Sequence, residues 1–420
     1  MFRVIGLLAA FALLAGGYAV WPLYGFFAHS GDAPLPFWGW ERMPEGGKGL
    51  SKTSGNEWIT VGEAALDKLD AHRRNIGAPA MSAAVAVGGE VVWAGATGWA
   101  DLGDEAPATP DTQFRIGSTS KAVTASALAR MVDQGKIDLD APIGTYLGDL
   151  PNPEWAAITP RMLASHMAGV PHYGDVEDPD RFEYATMGRR YDDVRDSLAL
   201  FDESPLLFAP GTDFEYSSLG TVLLGATMSA AAGERYRDII AREVLEPAGM
   251  TATIVAPKKA PPEGRLASFY LRRGDRYREW RPVDLSHRLP GGGWASTPSD
   301  LVRMGSLWLD DDYIRAATRA EFWTPQRLAD GEVNEQDYAI GWRWREWEVE
   351  GLGLARNANH GGVSRGSQSW LLVFPDYDMA LAVNVNMRTD EFIEFGSAWE
   401  GVFRPFAEKI RSEGAASATE

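Results

Sequence analysis

Residues 114–121 read Phe-Arg-Ile-Gly-Ser-Thr-Ser-Lys, and an alanine-rich run follows them as far as Gln134. The apolar spacing of that run predicts a buried helix that starts near Ser118 and stops at Gly135. One helical turn separates Ser118 from Lys121, so the two side chains would share a face. The free amide groups at the start of the helix favour negative charge developing beside Ser118. A nucleophile, a base and part of an oxyanion site therefore fall within one turn of helix.

A Ser-x-x-Lys pattern alone is a weak signal, because a chain of this length contains about one such match by chance. The neighbouring motifs therefore decide its meaning. A second candidate base is His166, which lies near the end of a helix that begins at Thr159-Pro160. A histidine in such a place more often satisfies backbone groups than takes part in catalysis, and we favour that structural role.

Composition narrows the class of protein. The chain has 420 residues, of which 45 % are hydrophobic and 23 % charged, values typical of a globular protein with a sizeable core. Its net charge of −18 argues against a nucleic-acid partner, since no basic face is present to neutralise phosphates. The absence of cysteine excludes disulfides, a thiol nucleophile and a thiolate metal site. The six histidines form no His-x-x-x-His pattern, which argues against a zinc hydrolase. We expect no metal and no other cofactor.

The N-terminal segment is apolar. Val4–Phe27 carries no charge and is long enough to cross a bilayer. Arg3 precedes it and the next basic residue is Arg42, a distribution that places the N-terminus in the cytoplasm. We interpret residues 1–27 as a transmembrane signal anchor that holds the rest of the chain outside the cytoplasm, in the periplasm if the source is bacterial. A cleaved secretory signal, which would release the protein, is the alternative.

The remaining chain divides by composition. Residues 28–56 are rich in Gly, Pro and Ser and are predicted to form a linker. Residues 57–411 are predicted to form one domain, which opens with an amphipathic helix and a β-hairpin turning at Gly88-Gly89. The same domain ends with strands and a closing helix. Residues 412–420 are predicted to be a disordered polar tail.

The order of these patterns predicts the fold class. Strands at both ends of the domain enclose a mostly helical middle, which indicates an α+β fold. We expect one antiparallel β-sheet flanked by helices, with a mostly α-helical subdomain inserted at about residues 140–290. The site would lie where the two parts meet. The long irregular segment 175–194 is a candidate lid over that site.

The motifs along the chain resemble those of a known family. Four motifs occur in the order and rough spacing of the serine β-lactamase-related hydrolases, namely those at 114–121, 166–171, 216–218 and 360–362. That superfamily includes class C β-lactamases, penicillin-binding DD-peptidases and esterases. Two further segments, 204–211 and 290–297, resemble the LACTB group of membrane-anchored serine peptidase-like proteins. The resemblance covers roughly Glu57 to Arg411 and implies a β-lactamase/transpeptidase-like fold.

The resemblance also implies roles for individual residues. Ser118 would attack a carbonyl and become acylated, and a desolvated Lys121 would accept its proton. Tyr216 would pass a proton to the leaving group and later activate water. The backbone N–H groups of Ser118 and Val363 would form the oxyanion hole.

Two departures from the family pattern bear on the substrate. Ser218 stands where the family has an asparagine, and His360-Gly361-Gly362 stands where it has Lys-Thr-Gly. We expect these four residues to contact the substrate. A neutral imidazole holds a carboxylate only weakly, so efficient β-lactam hydrolysis is not expected. A small peptide, amide or ester is the predicted substrate.

The sequence thus favours a serine hydrolase of peptidase or amidase type and leaves alternatives open. An esterase or a weak β-lactamase would use the same acylation chemistry. A non-catalytic scaffold or filament at the membrane would need none of it, and the complete set of Ser118, Lys121 and Tyr216 argues against that interpretation. A homo-oligomer is compatible with each alternative.

Overall fold

The structure is a computed structural model that describes residues 15–18, 20–29, 33–176, 182, 186–260 and 264–417. The strands in these ranges are β1 (Glu41–Arg42), β2 (Leu50–Thr53), β3 (Ala80–Val87), β4 (Glu90–Asp101), β5 (Ala106–Pro107), β6 (Phe114–Arg115), β7 (Ile254–Val255), β8 (Tyr270–Arg273), β9 (Arg276–Glu279), β10 (Trp294–Ser296), β11 (Arg343–Val349), β12 (Gly353–Ser364), β13 (Ser367–Phe374) and β14 (Met379–Val385). The α-helices are α1 (Ile59–Ile76), α2 (Ser120–Asp133), α3 (Gly144–Leu147), α4 (Pro160–Ala164), α5 (Ser218–Ala232), α6 (Tyr236–Ile240), α7 (Leu289–Gly292), α8 (Pro298–Leu307), α9 (Ala316–Trp323), α10 (Phe392–Gly396) and α11 (Ala398–Ser417).

One antiparallel sheet forms the centre of the molecule. Its strand order is β11-β12-β13-β14-β3-β4-β2, with β5 added beside β4, so the last strands of the chain pair with the first. The predicted hairpin is confirmed, because β3 and β4 pair directly from Val87 and Glu90 onward. Gly88 and Gly89 have φ angles of +58° and +83°, as a two-residue turn between such strands requires.

The two faces of the sheet bury different layers. In β3, Ala83 and Val85 face a core shared with α1 and α11, whereas Ala84 and Ala86 face a core shared with α2, α5 and α8. This alternation follows from the two-residue period of a strand. Small side chains on the second face let α8 approach closely. A Cβ added at Gly305 would lie only 3.0 Å from that of Ala380. The fold is therefore α+β, with helices on both faces of an antiparallel sheet, as predicted.

The helical middle of the chain packs on the second face of the sheet. Helices α3 to α6 fall within the predicted insertion at residues 140–290, together with the β8–β9 hairpin, and α7 begins at its end. Trp155 and Leu223 from this interval share one hydrophobic core with Leu371 of the sheet. The helical part is thus continuous with the core beside the sheet. The predicted lid at 175–194 lies partly outside the described residues.

Two predicted boundaries differ from the structure. The predicted linker 28–56 contains β1, which pairs with β9, and β2, which forms the edge of the central sheet beside β4. Because every side chain of β2 is exposed, this strand has no apolar alternation to reveal it. The predicted tail 412–420 begins as helix, since α11 continues to Ser417. Lys409 pairs with Glu413 one turn later and thereby supports this extension.

The N-terminal region is described only in part, and about half of the predicted anchor Val4–Phe27 lies outside the described residues. Residues 15–18 and 20–29 are helical. Phe26 is fully buried, with the Arg281 guanidinium 5.0 Å from its ring centre. None of the described helices combines the length and the apolar character that a bilayer crossing requires. The signal anchor and a location outside the cytoplasm remain predictions from the sequence.

Candidate active site

Ser118 lies at the start of the helix that the sequence predicted. A short 3₁₀ turn, Gly117–Thr119, leads into α2, and Ser118 is partly exposed within it. The Thr119 hydroxyl donates to the carbonyl groups of His360 and Ser369, at 3.2 and 3.3 Å. These bonds pin the start of the helix to β12 and β13. The Ser118 amide therefore lies at the positive end of a fixed helix.

Two glycines allow β12 to approach Ser118 closely. A Cβ added at Gly362 would lie 2.0 Å from the Ile116 carbonyl oxygen and 2.8 Å from the Ser118 nitrogen. Gly117 has a φ of +50°, and a Cβ there would lie 2.5 Å from the Val363 carbonyl oxygen. No larger residue fits at either position without moving the backbone. The contact brings the backbones of Ser118 and Val363, the predicted oxyanion pair, to one cavity.

Lys121 connects the first motif to the third. It is buried, and its Nζ donates to Ser218 Oγ at 2.9 Å and to the Gly291 carbonyl at 3.0 Å. The same Nζ lies 3.5 Å from Ser118 Oγ and 4.7 Å from the centre of the Tyr216 ring. The structure thus brings together the three predicted catalytic side chains and Ser218. A deprotonated amine in this place can accept the serine proton.

The surroundings shift the pKa of both Lys121 and Tyr216. Burial lowers the pKa of Lys121 well below its ordinary value, and the charges of Arg343 and Arg288 lower it further. Burial raises the pKa of the Tyr216 phenol, against smaller opposing effects of Arg343 and of a hydrogen bond with Ser118. Both shifts favour the uncharged forms, a free amine and an intact phenol. An uncharged base and an uncharged acid are what a proton relay needs before the reaction starts.

The position of Tyr216 and Ser218 depends on the serine between them. Ser217 is the N-cap of α5, where its hydroxyl accepts from the Gly220 amide at 2.8 Å. The same hydroxyl donates to the Pro171 carbonyl at 2.9 Å. The first bond closes the first turn of the helix, and the second ties that turn to a segment 46 residues earlier in the chain. The cap thus adds to the contacts that Tyr216 and Ser218 make themselves in holding these two residues in place.

Two histidines support this turn. His166 is buried in a left-handed conformation, with a φ of +63°, and its Nδ1 accepts from the Ser217 amide at 3.3 Å. This contact matches the structural role favoured for His166. His172 lines the cavity, and its Nδ1 accepts from the Ser218 amide at 3.1 Å. Burial lowers the pKa of His172 to about 4, so the ring is neutral. No motif in the sequence singles out His172.

The placement of His360 differs from the expectation that it contacts the substrate. Its ring is fully buried, its Nε2 accepts from the Tyr338 hydroxyl at 2.7 Å and its Nδ1 donates to the Gly361 carbonyl at 2.8 Å. Burial lowers the pKa of His360 well below its ordinary value. A neutral ring with both nitrogens occupied cannot hold a substrate carboxylate. Its contacts stabilise β12 instead.

Gly361 does line the cavity, against the ring of Phe392. A Cβ added at Gly361 would lie 2.6 Å from that ring. An aromatic side chain thus occupies the space where a threonine would place its hydroxyl. Gly362, by contrast, serves the close approach of β12 and is not part of the cavity lining.

The cavity in front of Ser118 has a volume of about 540 Å³, within the range of small-molecule sites. Its lining includes Tyr173, Trp347, Trp370 and Phe392. It also includes five arginines, namely Arg288, Arg343, Arg345, Arg365 and Arg388. These arginines belong to none of the motifs recognised in the sequence. On β11, residues 343, 345 and 347 share one face by the two-residue period, so the alternation of Trp and Arg could have indicated an arginine-lined surface.

Comparisons with known proteins identify the family of the chain. Residues 66–396 match the model of the Beta-lactamase family. The mouse serine β-lactamase-like protein LACTB, mitochondrial, is 26 % identical over 411 residues, covering 77 % of this chain and 74 % of the mouse chain. A penicillin-binding protein of Bacillus subtilis is 25 % identical over 351 residues, covering 78 % of this chain and 75 % of that protein.

A solved structure shows the same fold. D-amino acid amidase from Ochrobactrum anthropi, complexed with L-phenylalanine, superposes with a TM-score of 0.68 at 23 % identity. The match covers 85 % of this chain and 99 % of the amidase. The resemblance noted from the motifs is therefore confirmed by the family match and by the fold. Since the match spans most of its length, the chain belongs to the Beta-lactamase family.

Proposed function

We propose that the protein is a serine hydrolase that works through an acyl-enzyme on Ser118, with peptides or amides as substrates. One observation carries the proposal. The buried Lys121 Nζ lies 3.5 Å from Ser118 Oγ and 2.9 Å from Ser218 Oγ, at an opening that a substrate can enter. A desolvated amine beside an accessible hydroxyl is the arrangement that activates a serine nucleophile.

In the acylation step, Ser118 Oγ bonds to the substrate carbonyl carbon while its proton moves to Lys121 Nζ. The carbonyl oxygen takes the electron pair of the broken π bond and becomes an oxyanion. The N–H groups of Ser118 and Val363 are proposed to stabilise it. Preorganised donors of this kind are worth about 2.7–4 kcal/mol each. The close approach of Gly362 to Ile116 supports this assignment, because it fixes the distance between the two backbones.

Tyr216 is proposed to complete the proton transfer. Its phenol donates a proton to the leaving nitrogen as the carbon–nitrogen bond breaks, and the Lys121 ammonium returns a proton to the phenolate. A water molecule then attacks the acyl carbon and gives one proton to this pair. The bond from that carbon to Ser118 Oγ breaks, and the pair returns a proton to Ser118 Oγ. Ser218 accepts a hydrogen bond from Lys121 and thereby orients the amine toward Ser118 and Tyr216.

The family and this cavity both support the proposed substrate class. The similar fold of an enzyme named an amidase supports amide substrates. Positions 360 and 361 here offer neither a lysine nor a threonine hydroxyl, which argues against efficient β-lactam hydrolysis. An esterase of the same fold would share the acylation step and is the second candidate. A membrane scaffold would carry out neither acylation nor hydrolysis of the acyl-enzyme.

Covalent labelling tests the proposal. We expect a fluorophosphonate to add one adduct to the full-length chain by intact mass, and Ser118→Ala to abolish it. Ser51→Ala, which removes an exposed hydroxyl on β2, is the matched control and should label like the unchanged chain. No adduct anywhere in the neutral pH range, or equal labelling of Ser118→Ala, would overturn the proposal and favour the scaffold.

The substrate class needs a second measurement. Rates with para-nitrophenyl esters, aminoacyl anilides and nitrocefin should be compared for the same preparation. Turnover of the anilides supports a peptidase or amidase. Turnover confined to the esters would assign an esterase, and preferential turnover of nitrocefin would assign a β-lactamase.

A further inference from the structure

The lining of the cavity is strongly positive in a chain whose net charge is −18. Five arginines contribute to it, and within the described residues no acidic side chain does. Arginine stays protonated under all ordinary conditions, so these charges are permanent. An excess of this kind, inside an acidic protein and in front of the proposed nucleophile, calls for a physical explanation.

The first group of arginines, the Arg343 group, consists of Arg343 and Arg345 on β11. The Arg343 guanidinium lies 4.8 Å from the ring centre of Tyr338 and 5.7 Å from that of Tyr216. Its Nη2 donates to the side-chain oxygen of Gln336 at 2.8 Å. Within the described part of the chain no carboxylate pairs with Arg343. Its charge is held by aromatic rings and an amide, which orient a guanidinium without neutralising it.

The second group, the Arg288 group, consists of Arg288, Arg365 and Arg388. These residues come from three separate segments, before α7, between β12 and β13, and after β14. The Arg288 guanidinium lies 5.2 Å from the ring centre of Tyr173. All three residues line the cavity, and burial, together with the charge of Arg388, lowers the pKa of Arg365 to about 10. Gathering like charges costs free energy unless an anion joins them.

Ordinary solvation does not account for this arrangement. Exposed arginines normally face water or pair with surface carboxylates, and this chain has 58 Asp and Glu residues available for pairing. Arg345 does pair with Asp337, at 2.9 Å. Arg288 forms no such pair with the described residues, and its Nε is buried without a hydrogen-bond partner there. A substrate group that enters the cavity could supply the missing acceptor.

We propose that the hydrolase takes acidic peptides, with one substrate carboxylate bound by the Arg343 group and a second by the Arg288 group. The inference rests on the proposed function, because it names the substrate of that same site. Guanidinium groups bind carboxylates through two parallel hydrogen bonds, which gives both affinity and orientation. The two groups would replace the single lysine of the family motif, whose position is taken here by the buried His360.

A protection experiment on the full-length chain tests this inference. The probes are three capped tripeptide amides of equal length, with two carboxylates (succinyl-Ala-Ala-Glu), one carboxylate (acetyl-Ala-Ala-Glu) or none (acetyl-Ala-Ala-Gln). Each is added before the fluorophosphonate, and the rate of labelling at Ser118 is measured. We expect the two-carboxylate peptide to protect at a concentration at least ~10-fold lower than the neutral one. Added salt should reduce this difference.

Arginine variants assign the preference to the two groups. We expect Arg343→Gln and Arg288→Gln each to remove most of the difference between the acidic and the neutral peptide. Arg356→Gln is the matched control, since Arg356 lies on β12, is exposed and pairs with Asp376 away from the cavity. This control should keep the full preference. Equal protection by all three peptides, or a preference that survives both cavity substitutions, would overturn the inference.

The two proposals fail in different ways. If the proposed function is wrong, Ser118 is not labelled in the first place. In that case calorimetry with the same three peptides and the full-length chain still measures whether the cavity binds carboxylates. Binding that increases with the number of carboxylates supports an acidic ligand, and equal binding of the three peptides overturns it.

Discussion

The cavity has a floor and a wall that treat charge differently. The floor consists of Ser118, Lys121, Tyr216 and Ser218, and burial pushes its two titratable groups toward their uncharged forms. The wall consists of the five arginines, which keep their charge. A buried lysine can lose its proton, whereas an arginine keeps it. The floor therefore holds an uncharged amine, and the wall holds charged guanidinium groups. The floor is built for proton transfer and the wall for recognition.

The two regions are nevertheless coupled. The charges of Arg343 and Arg288, both in the wall, add to burial in lowering the pKa of Lys121. The wall therefore helps to keep the floor amine free of its proton. A substrate carboxylate that neutralised these arginines would weaken that effect once bound. The three predictions that follow test the division between floor and wall, beginning with the largest expected effect.

The chemistry of the floor should require a neutral amine and not merely a cation. We expect Lys121→Met to slow fluorophosphonate labelling of Ser118 by ~1000-fold, within the range of a lost general base. Lys121→Arg should be equally slow, because a guanidinium cannot give up its proton. The labelling rate of purified, folded variants is the measurement. Labelling of Lys121→Arg within about tenfold of the unchanged chain would show that the floor works through charge instead.

The floor should also depend on the close approach of β12. We expect Gly362→Ala to lower the labelling rate by at least ~100-fold, because its methyl group would push Val363 away from Ser118 and so remove one oxyanion donor. Gly144→Ala is the matched control, since a Cβ there meets Leu150 at an ordinary 3.5 Å. Thermal unfolding of both variants separates lost geometry from lost stability. Full labelling of Gly362→Ala would place the oxyanion donor elsewhere.

The coupling between wall and floor should appear as a shift in pH dependence. The labelling rate should rise as the pH increases through the Lys121 pKa, because only the neutral amine accepts a proton. Arg343→Gln removes a charge that lowers this pKa, so the rising limb should move to higher pH. Arg356→Gln, which lies outside the cavity, should leave the limb in place. An unmoved limb in Arg343→Gln would show that wall and floor are electrostatically independent.

Much of the fold could be predicted because its signals are local. Gly88-Gly89 between two apolar runs specifies a hairpin, and Thr159 before a proline specifies the start of α4, where its hydroxyl accepts from the Met162 amide. β2 gave no such signal, because all its side chains are exposed and only its backbone pairs with β4. A strand that joins a sheet through its backbone, with all side chains exposed, has no apolar pattern in its sequence.

The candidate site shows the same limit. Ser118 and Lys121 are one turn apart, so their proximity follows from helix geometry. The burial of His360 depends on Tyr338, which reaches it from another segment. The charge of Arg343 is not balanced, because none of the described carboxylates pairs with it in the folded chain. Neither fact is contained in the spacing of a motif, because both depend on neighbours that only the tertiary structure supplies.

The bond from Thr119 to the His360 carbonyl spans 241 residues, and β14 lies between β3 and β13 in the sheet. The oxyanion hole proposed here therefore cannot assemble on a nascent chain until β12 has left the ribosome, late in synthesis. Such long-range pairing also folds slowly compared with local structure. Growing chains and prematurely terminated fragments should for this reason be catalytically silent, so that translation itself delays the onset of activity.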